Sequence, residues 1–229
     1  MLSDLEFQIL LLSLQVAGTA LLLMLVPGVA MGWVLARLRF PGKALVDAVV
    51  HLPLVLPPVV TGWLLLIACG RHSPIGQILE SWFGWRLVFD WKGAVLAAAV
   101  MAFPLLVRAV RLAIELADRD VERAAATCGA SPLRVFASVT LPLAMPGIIA
   151  GAVLAFARCL GEFGATITLA GSIPGESRTL PVAIWQFTQM PDGDAAVWRL
   201  VTISVLVSVA ALVGSEWMTR RLGRRLGPA

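Results

Sequence analysis

Charge is what this sequence has least of. Asp, Glu, Lys and Arg make up 14% of the 229 residues and hydrophobic residues 59%. A soluble domain carries roughly 25% charged and about 45–50% apolar residues. No charged residue at all stands between Glu6 and Arg37. These shortages exclude an ordinary soluble domain, and a mean hydropathy of +0.88 points to lipid as the solvent. Cysteine is sparse as well. Cys69, Cys128 and Cys159 are odd in number and lack C-x-x-C spacing, so they read as small apolar packing residues rather than metal ligands. His51 and His72 are the two histidines, distant from each other, and two such residues do not make a metal site. The phosphate-binding P-loop pattern, H-E-x-x-H and G-x-S-x-G are all missing, so the sequence is not that of an enzyme with its own ATPase or hydrolase site. Basic residues are also missing ahead of the first apolar run, where Asp4 and Glu6 stand instead. That argues against a cleaved signal peptide and for a retained membrane helix.

What is present is a series of apolar runs on the scale of a bilayer crossing, which takes about 20 residues; the third is short, but Arg108 and Arg111 can snorkel outward. The first lies between Glu6 and Arg37, the second between Asp47 and Arg71, the third from Gly93 to Arg108, the fourth over 135–157, and the last over 197–217. The second contains Pro53, Pro57 and Pro58 and so cannot be a straight helix. Residues 71–92 are polar, with Trp82, Trp85 and Trp91 suited to a membrane–water interface. Residues 158–194 alternate apolar pieces with charges and prolines, and read as the end of the fourth helix followed by short helices and loops that partly enter the membrane. The fold class expected is an all-α membrane protein: one transmembrane domain over residues 1–229, with five spans and a possible sixth within 158–194.

The pI of about 9.6 does not mark a nucleic-acid binder, because the basic residues form short clusters between apolar runs and no continuous stripe. Their distribution sets topology instead. With the N-terminus outside, the inner segments hold Arg37, Arg39, Lys43, Arg108, Arg111, Arg119, Arg123, Arg134 and the four arginines 220, 221, 224 and 225. The outer segments hold Arg71, Arg86, Lys92, Arg178 and Arg199, with Arg158 in a span. The expected orientation is N-out and C-in.

The segment of about 115–141 carries more order than a connector needs. Val121, Ala124, Ala125 and Cys128 recur at i, i+3, i+4 and i+7, one face of a helix. Asp118, Asp120 and Glu122 stand near its start, where the helix dipole favours acids. Gly129 is placed to stop it, and Ser131 with Pro132 to cap and open a second helix that leads to Pro142.

Glu122-x-Ala124-Ala125-x-x-x-Gly129, followed by Val139-x-Leu141-Pro142, resembles the "EAA" loop of the permeases of ATP-binding-cassette (ABC) importers, with the acid one position ahead of its commonest place. The runs 51–60, 91–100 and 160–166 resemble the molybdate branch of that family, and the likeness extends from about Arg39 to Thr179. The resemblance implies a multi-pass permease of the bacterial inner membrane that moves molybdate, with tungstate a related cargo. Sulfate or thiosulfate permeases share much of the pattern, and a self-contained channel or secondary transporter is the reading outside the family. It also implies the partners: two ABC ATPase subunits that bind the ATP and magnesium, a periplasmic or extracellular oxyanion-binding protein, and a second copy of the chain. No cofactor is expected on this chain itself. The coupling-loop residues carried over are Glu122, Ala124, Ala125, Gly129, Leu141 and Pro142, with Glu122 and Arg123 able to make polar contacts at the rim of the docked helix.

Residues for a translocation path are less sharply marked. Pro57 and Pro58 either line the path, with Thr61 offering a hydroxyl, or form a packing kink. Arg158 and Glu162, four residues apart in an apolar context, are either on the path or an ion pair that fixes helix packing; packing is favoured, since a fixed cation on the path would trap an oxyanion. Gly147-x-x-x-Gly151 suggests close helix packing, such as at a subunit interface.

Overall fold

A computed structural model describes residues 3–225 of the chain. The elements are α1 (Asp4–Arg37), α2 (Lys43–Val55), α3 (Pro58–Cys69), α4 (Pro74–Phe83), α5 (Trp91–Leu116), α6 (Arg119–Thr127), α7 (Pro132–Val135), a π-helical turn (Phe136–Thr140), α8 (Leu141–Leu160), α9 (Gly164–Leu169), α10 (Leu180–Phe187) and α11 (Asp194–Arg225). No strand occurs among the described residues. Four helical stretches are long and apolar enough to cross a membrane: α1, α5, the continuous run Pro132–Leu160, and α11 over Asp194–Gly214. Helices α2 and α3 reach that length only together, and they are bent by 113° between them.

Local chemistry starts and stops these helices. Ser3 and Glu6 close a capping box on α1: Ser3 Oγ accepts from the Glu6 amide at 3.3 Å and Glu6 Oε2 accepts from the Ser3 amide at 2.8 Å. With no charge to interrupt it, α1 then runs 34 residues straight through Pro27. Asp90 caps α5 by accepting from the Lys92 amide at 2.8 Å. The third apolar run was expected to lose its uncharged character at Arg108, yet α5 continues to Leu116. The continuation is stabilised by paired charges: Arg111 reaches Glu115 at 2.8 Å and Asp47 of α2 at 3.2 Å.

Helix α5 is the centre of the bundle, with α1 and α8 packed on it. The closeness depends on glycine. A Cβ added at Gly28 would stand 2.6 Å from Leu106 Cδ2, and one at Gly32 2.6 Å from Val110 Cγ1. The two contacts ascend together, so α1 and α5 run parallel. A Cβ at Gly147 would stand 2.5 Å from Ala113 Cβ, and one at Gly151 2.5 Å from Ala109 Cβ. Here the order reverses, so α8 runs antiparallel to α5. The Gly147/Gly151 pair therefore packs inside the chain, against α5, and not at the subunit interface that the sequence suggested as one option.

The segment 158–194 folds as the short helices and loops expected of it. Helix α9 packs on α3, and α10 is fastened where Ser13 Oγ of α1 accepts from the buried Leu180 amide at 2.7 Å. Arg199 of α11 meets the buried Glu6 at 2.8 Å, which ties the last helix to the first.

Candidate functional site

The residues singled out in the sequence fall at two places in the bundle. The first is the 117–141 segment, at the end of the bundle where α1 finishes. Asp118 opens α6 by accepting from the Asp120 amide at 2.8 Å. Gly129 closes it at φ +86°, a left-handed conformation in which a side chain is strained. The chain reverses there, with the Gly129 amide donating to Ala126 O at 3.0 Å and the Ala130 amide to Ala125 O at 3.2 Å. Ser131 then accepts from the Arg134 amide at 3.4 Å, with Pro132 at the first position of α7. The π-helical turn joins α7 to α8, and Phe136 in it stacks edge-on against Trp33 of α1 at 5.9 Å. Helix, glycine turn, capped second helix: the local order is the one read from the letters.

The orientation of the side chains goes further. None of the residues of α6 is buried. Val121 is 46% exposed, Leu133 on α7 is 80% exposed, and Ala124 and Cys128 are open beside them. Ala125 is half-buried. The face read from the spacing is thus for the most part open surface, made of apolar side chains on a short helix. Of the two polar residues expected at its rim, Arg123 lies in the open, pairing with Asp120 at 2.9 Å. Glu122 turns inward. Its Oε1 accepts from Arg37 Nη2 at 2.8 Å and from Thr140 Oγ1 at 2.7 Å. Leu141 and Pro142 stand half-buried at the start of α8, where Leu141 packs on the core. Arg37 and Thr140 escaped the sequence reading. They lie 85 and 18 residues from Glu122, and Arg37 registered only as one base in an inner cluster.

The second place is the elbow of α2 and α3. Leu56 and Pro57 leave the helix in extended conformations, and Pro58 opens α3. Adjacent prolines remove two amide donors in a row, so no continuous helix can pass. Pro57 and Pro58 are exposed, whereas Thr61 is buried with its hydroxyl unpartnered. Helix α3 is seated on α9 at very short range: a Cβ at Gly62 would stand 2.8 Å from Ala165 Cα, and one at Gly164 2.7 Å from Pro58 Cβ. Just ahead of α9, Glu162 is engaged twice. Its Oε1 accepts from the Ala165 amide at 2.9 Å, and its Oε2 is 2.5 Å from Arg158 Nη1. Glu162 is buried and Arg158 partly exposed. The fold therefore brings Pro58, at the head of α3, to the start of α9 beside Glu162, far from it in sequence. The geometry there is that of a cap and a charge pair that hold α8 to α9.

Comparison with known proteins follows the same lines. The family described as "Binding-protein-dependent transport system inner membrane component" matches residues 28–226. The molybdenum transport system permease protein ModB of Escherichia coli is 54% identical over 226 residues, 99% of each chain. ModB of Haemophilus influenzae is 51% identical over 216 residues, 94% of each chain. Among solved structures, the inward-facing MetNI methionine ABC transporter shares the fold with a TM-score of 0.74 at 18% identity, over 96% of this chain and 99% of that one. A bacterial alginate ABC transporter, in complex with an alginate pentasaccharide-bound periplasmic protein, gives 0.70 at 17% identity, over 98% and 80%.

Proposed function

The chain belongs to the binding-protein-dependent transport system inner membrane component family, and on that premise we propose that it is the permease subunit of an ATP-driven molybdate importer. The observation that carries the reading is the end-to-end identity of 54% with a molybdenum permease. The free, capped helix α6 supports a partner at that position. In the proposed assembly two copies of the chain enclose the path, and two ABC ATPases, which bind ATP and magnesium, receive α6 of each copy. A periplasmic protein delivers the oxyanion from outside, a partner of the kind carried by the alginate transporter. Nucleotide binding and release then switch the path between inward and outward access. The α2–α3 pair counts as one crossing in this reading. That gives five spans, N-out and C-in, in the bacterial inner membrane, and it leaves α6 on the inner face with most of the arginines.

The roles of the site residues follow. Ala124 and its open neighbours on α6 meet the ATPase, while Gly129 sets the turn that presents them. Leu141 and Pro142 pass motion into α8. Pro57 and Pro58 border the path at the elbow, and Arg158 with Glu162 fixes the helices beside it. Cells grown at trace molybdate, with and without the gene, test the substrate through their molybdenum content. Loss of molybdenum on deletion, with little competition by excess sulfate in the intact strain, is the expected result. Unchanged molybdenum with impaired sulfate uptake moves the substrate to sulfate and leaves the permease role standing.

A further inference from the structure

We infer that Arg37, Glu122 and Thr140 form the joint that carries motion of α6 into α1 and α8, with Glu122 as its positioning residue. The inference rests on the permease reading and adds to it the path of the force.

One carboxylate oxygen serves both transmembrane helices. Glu122 Oε1 accepts from Arg37 Nη2 at 2.8 Å and from Thr140 Oγ1 at 2.7 Å. Arg37 is the last residue of α1, and Thr140 is the last residue before α8. The same Arg37 nitrogen also donates to Ala117 O at 3.2 Å, so the grip spans the start of the segment as well as its helix. The side chains of Arg37 and Glu122 are 10% and 17% exposed. A charge-assisted hydrogen bond so shielded from water is stronger than its surface counterpart.

The backbone of α6 packs most closely on α7 and the π-helical turn. A load applied to the free face of α6 therefore has a polar route to α1 through Glu122, beside the Arg37–Ala117 contact at the start of the segment. The position of the acid has its reason here. One residue further along, the side chain of Arg123 points to solvent at 74% exposure, and an acid there would not reach Arg37. Glu122 faces inward, onto side chains of α1 and the π-helical turn. It acts by holding three elements in register.

The test uses the whole transporter, permease with ATPase and binding protein, in proteoliposomes. Molybdate uptake and ATP hydrolysis are measured together. Glu122→Gln keeps the shape and an oxygen acceptor but removes the charge. Uptake per ATP hydrolysed is expected to fall about tenfold, as when a charge-assisted hydrogen bond becomes a neutral one. Arg37→Gln should give the same loss, and the double variant no more than either alone, because the residues act as one unit. Arg37→Lys, which keeps a cation within reach of Oε1, should recover most of the ratio. Parallel falls in uptake and hydrolysis, or equal losses in Arg37→Lys and Arg37→Gln, overturn the joint. Should Glu122→Gln fail to assemble, Thr140→Val decides the matter with a smaller drop of about threefold.

A second readout is independent of the cargo. Spin labels at the exposed positions Arg119 on α6, turned away from the Val121 face, and Leu22 on α1 report the distance across the joint with and without ATP. In the intact transporter that distance should stay constant, and in Glu122→Gln it should change on adding ATP. A distance that changes equally in both sinks the joint whatever the transporter carries. Absence of molybdate uptake by the intact transporter counts against the substrate alone, and the label distance still judges the joint.

Discussion

Replacing Gly151 with alanine sets two effects of similar size against each other, and the structure says which wins. In an exposed helix, Gly→Ala is stabilising by roughly 0.8–1 kcal/mol, because glycine loses more backbone freedom on ordering. At Gly151 the new Cβ would stand 2.5 Å from Ala109 Cβ. Carbon atoms sit comfortably at about 3.5–4.0 Å, so α8 must retreat from α5 by roughly 1 Å or more. Overpacking of that order costs about 1–3 kcal/mol. The retreat also loosens the neighbouring contact of Gly147 with Ala113, which belongs to the same seam. Gly151→Ala is therefore expected to lose about 1–2 kcal/mol net. The compensating change is Ala109→Gly. With that Cβ gone, the nearest atoms to the new methyl are Ala109 Cα and Leu106 Cδ1, both at 3.8 Å, which is ordinary contact. The two helix propensities cancel, so the double variant should return to within about 0.5 kcal/mol of the parent. Reversible unfolding in mixed micelles, followed by tryptophan fluorescence across the four chains of the cycle, measures this. A Gly151→Ala chain more stable than the parent, or a double variant no better than the sum of its singles, would refute the close α5–α8 seam.

At Gly129 the space around the missing Cβ is open, so the penalty comes from φ alone. Gly129→Val should weaken recovery of the ATPase with the purified permease, whereas Gly129→Asn, which tolerates the left-handed region, should retain most of it; equal recovery would separate the turn from docking. Glu162→Ala removes the partner of Arg158 and the acceptor of the Ala165 amide together, and should destabilise the chain by roughly 3 kcal/mol; a stable protein that transports poorly would instead put the pair on the path. Ser13→Ala leaves the buried Leu180 amide without its acceptor, an expected loss of about 1–3 kcal/mol with hydrogen exchange rising first in α10; unchanged exchange there would mean that α10 is held by its apolar packing alone.

What could be read from the letters was local, and what could not was the pairing of distant side chains. Asp118, Gly129, Ser131 and Pro132 act through backbone groups within a few residues, so their spacing alone fixed the α6–α7 turn. The break at Pro57 and Pro58 is local in the same sense, though its angle of 113° is set by the seat of α3 on α9. Small residues announced a close helix contact at Gly147 and Gly151, but nothing in a G-x-x-x-G spacing names the partner, and Ala109 and Ala113 came only with the fold. Arg158 and Glu162 sit one helical turn apart and were legible as a pair. Arg37 and Glu122 belong to different helices and have no periodic relation, so no window of sequence contains both.

The π-helical turn at Phe136–Thr140 has a consequence for chain length. Such a turn takes up one residue more than an α-helical turn, and each α-helical residue advances the helix by about 100°. Pro132–Val135 and Leu141–Leu160 are thus out of phase with each other by roughly a quarter revolution. A relative one residue shorter between Arg134 and Pro142 would run through this stretch as plain α-helix. Its Ala124 and Leu133 equivalents would then face a different side of the bundle while its transmembrane seam stayed where it is.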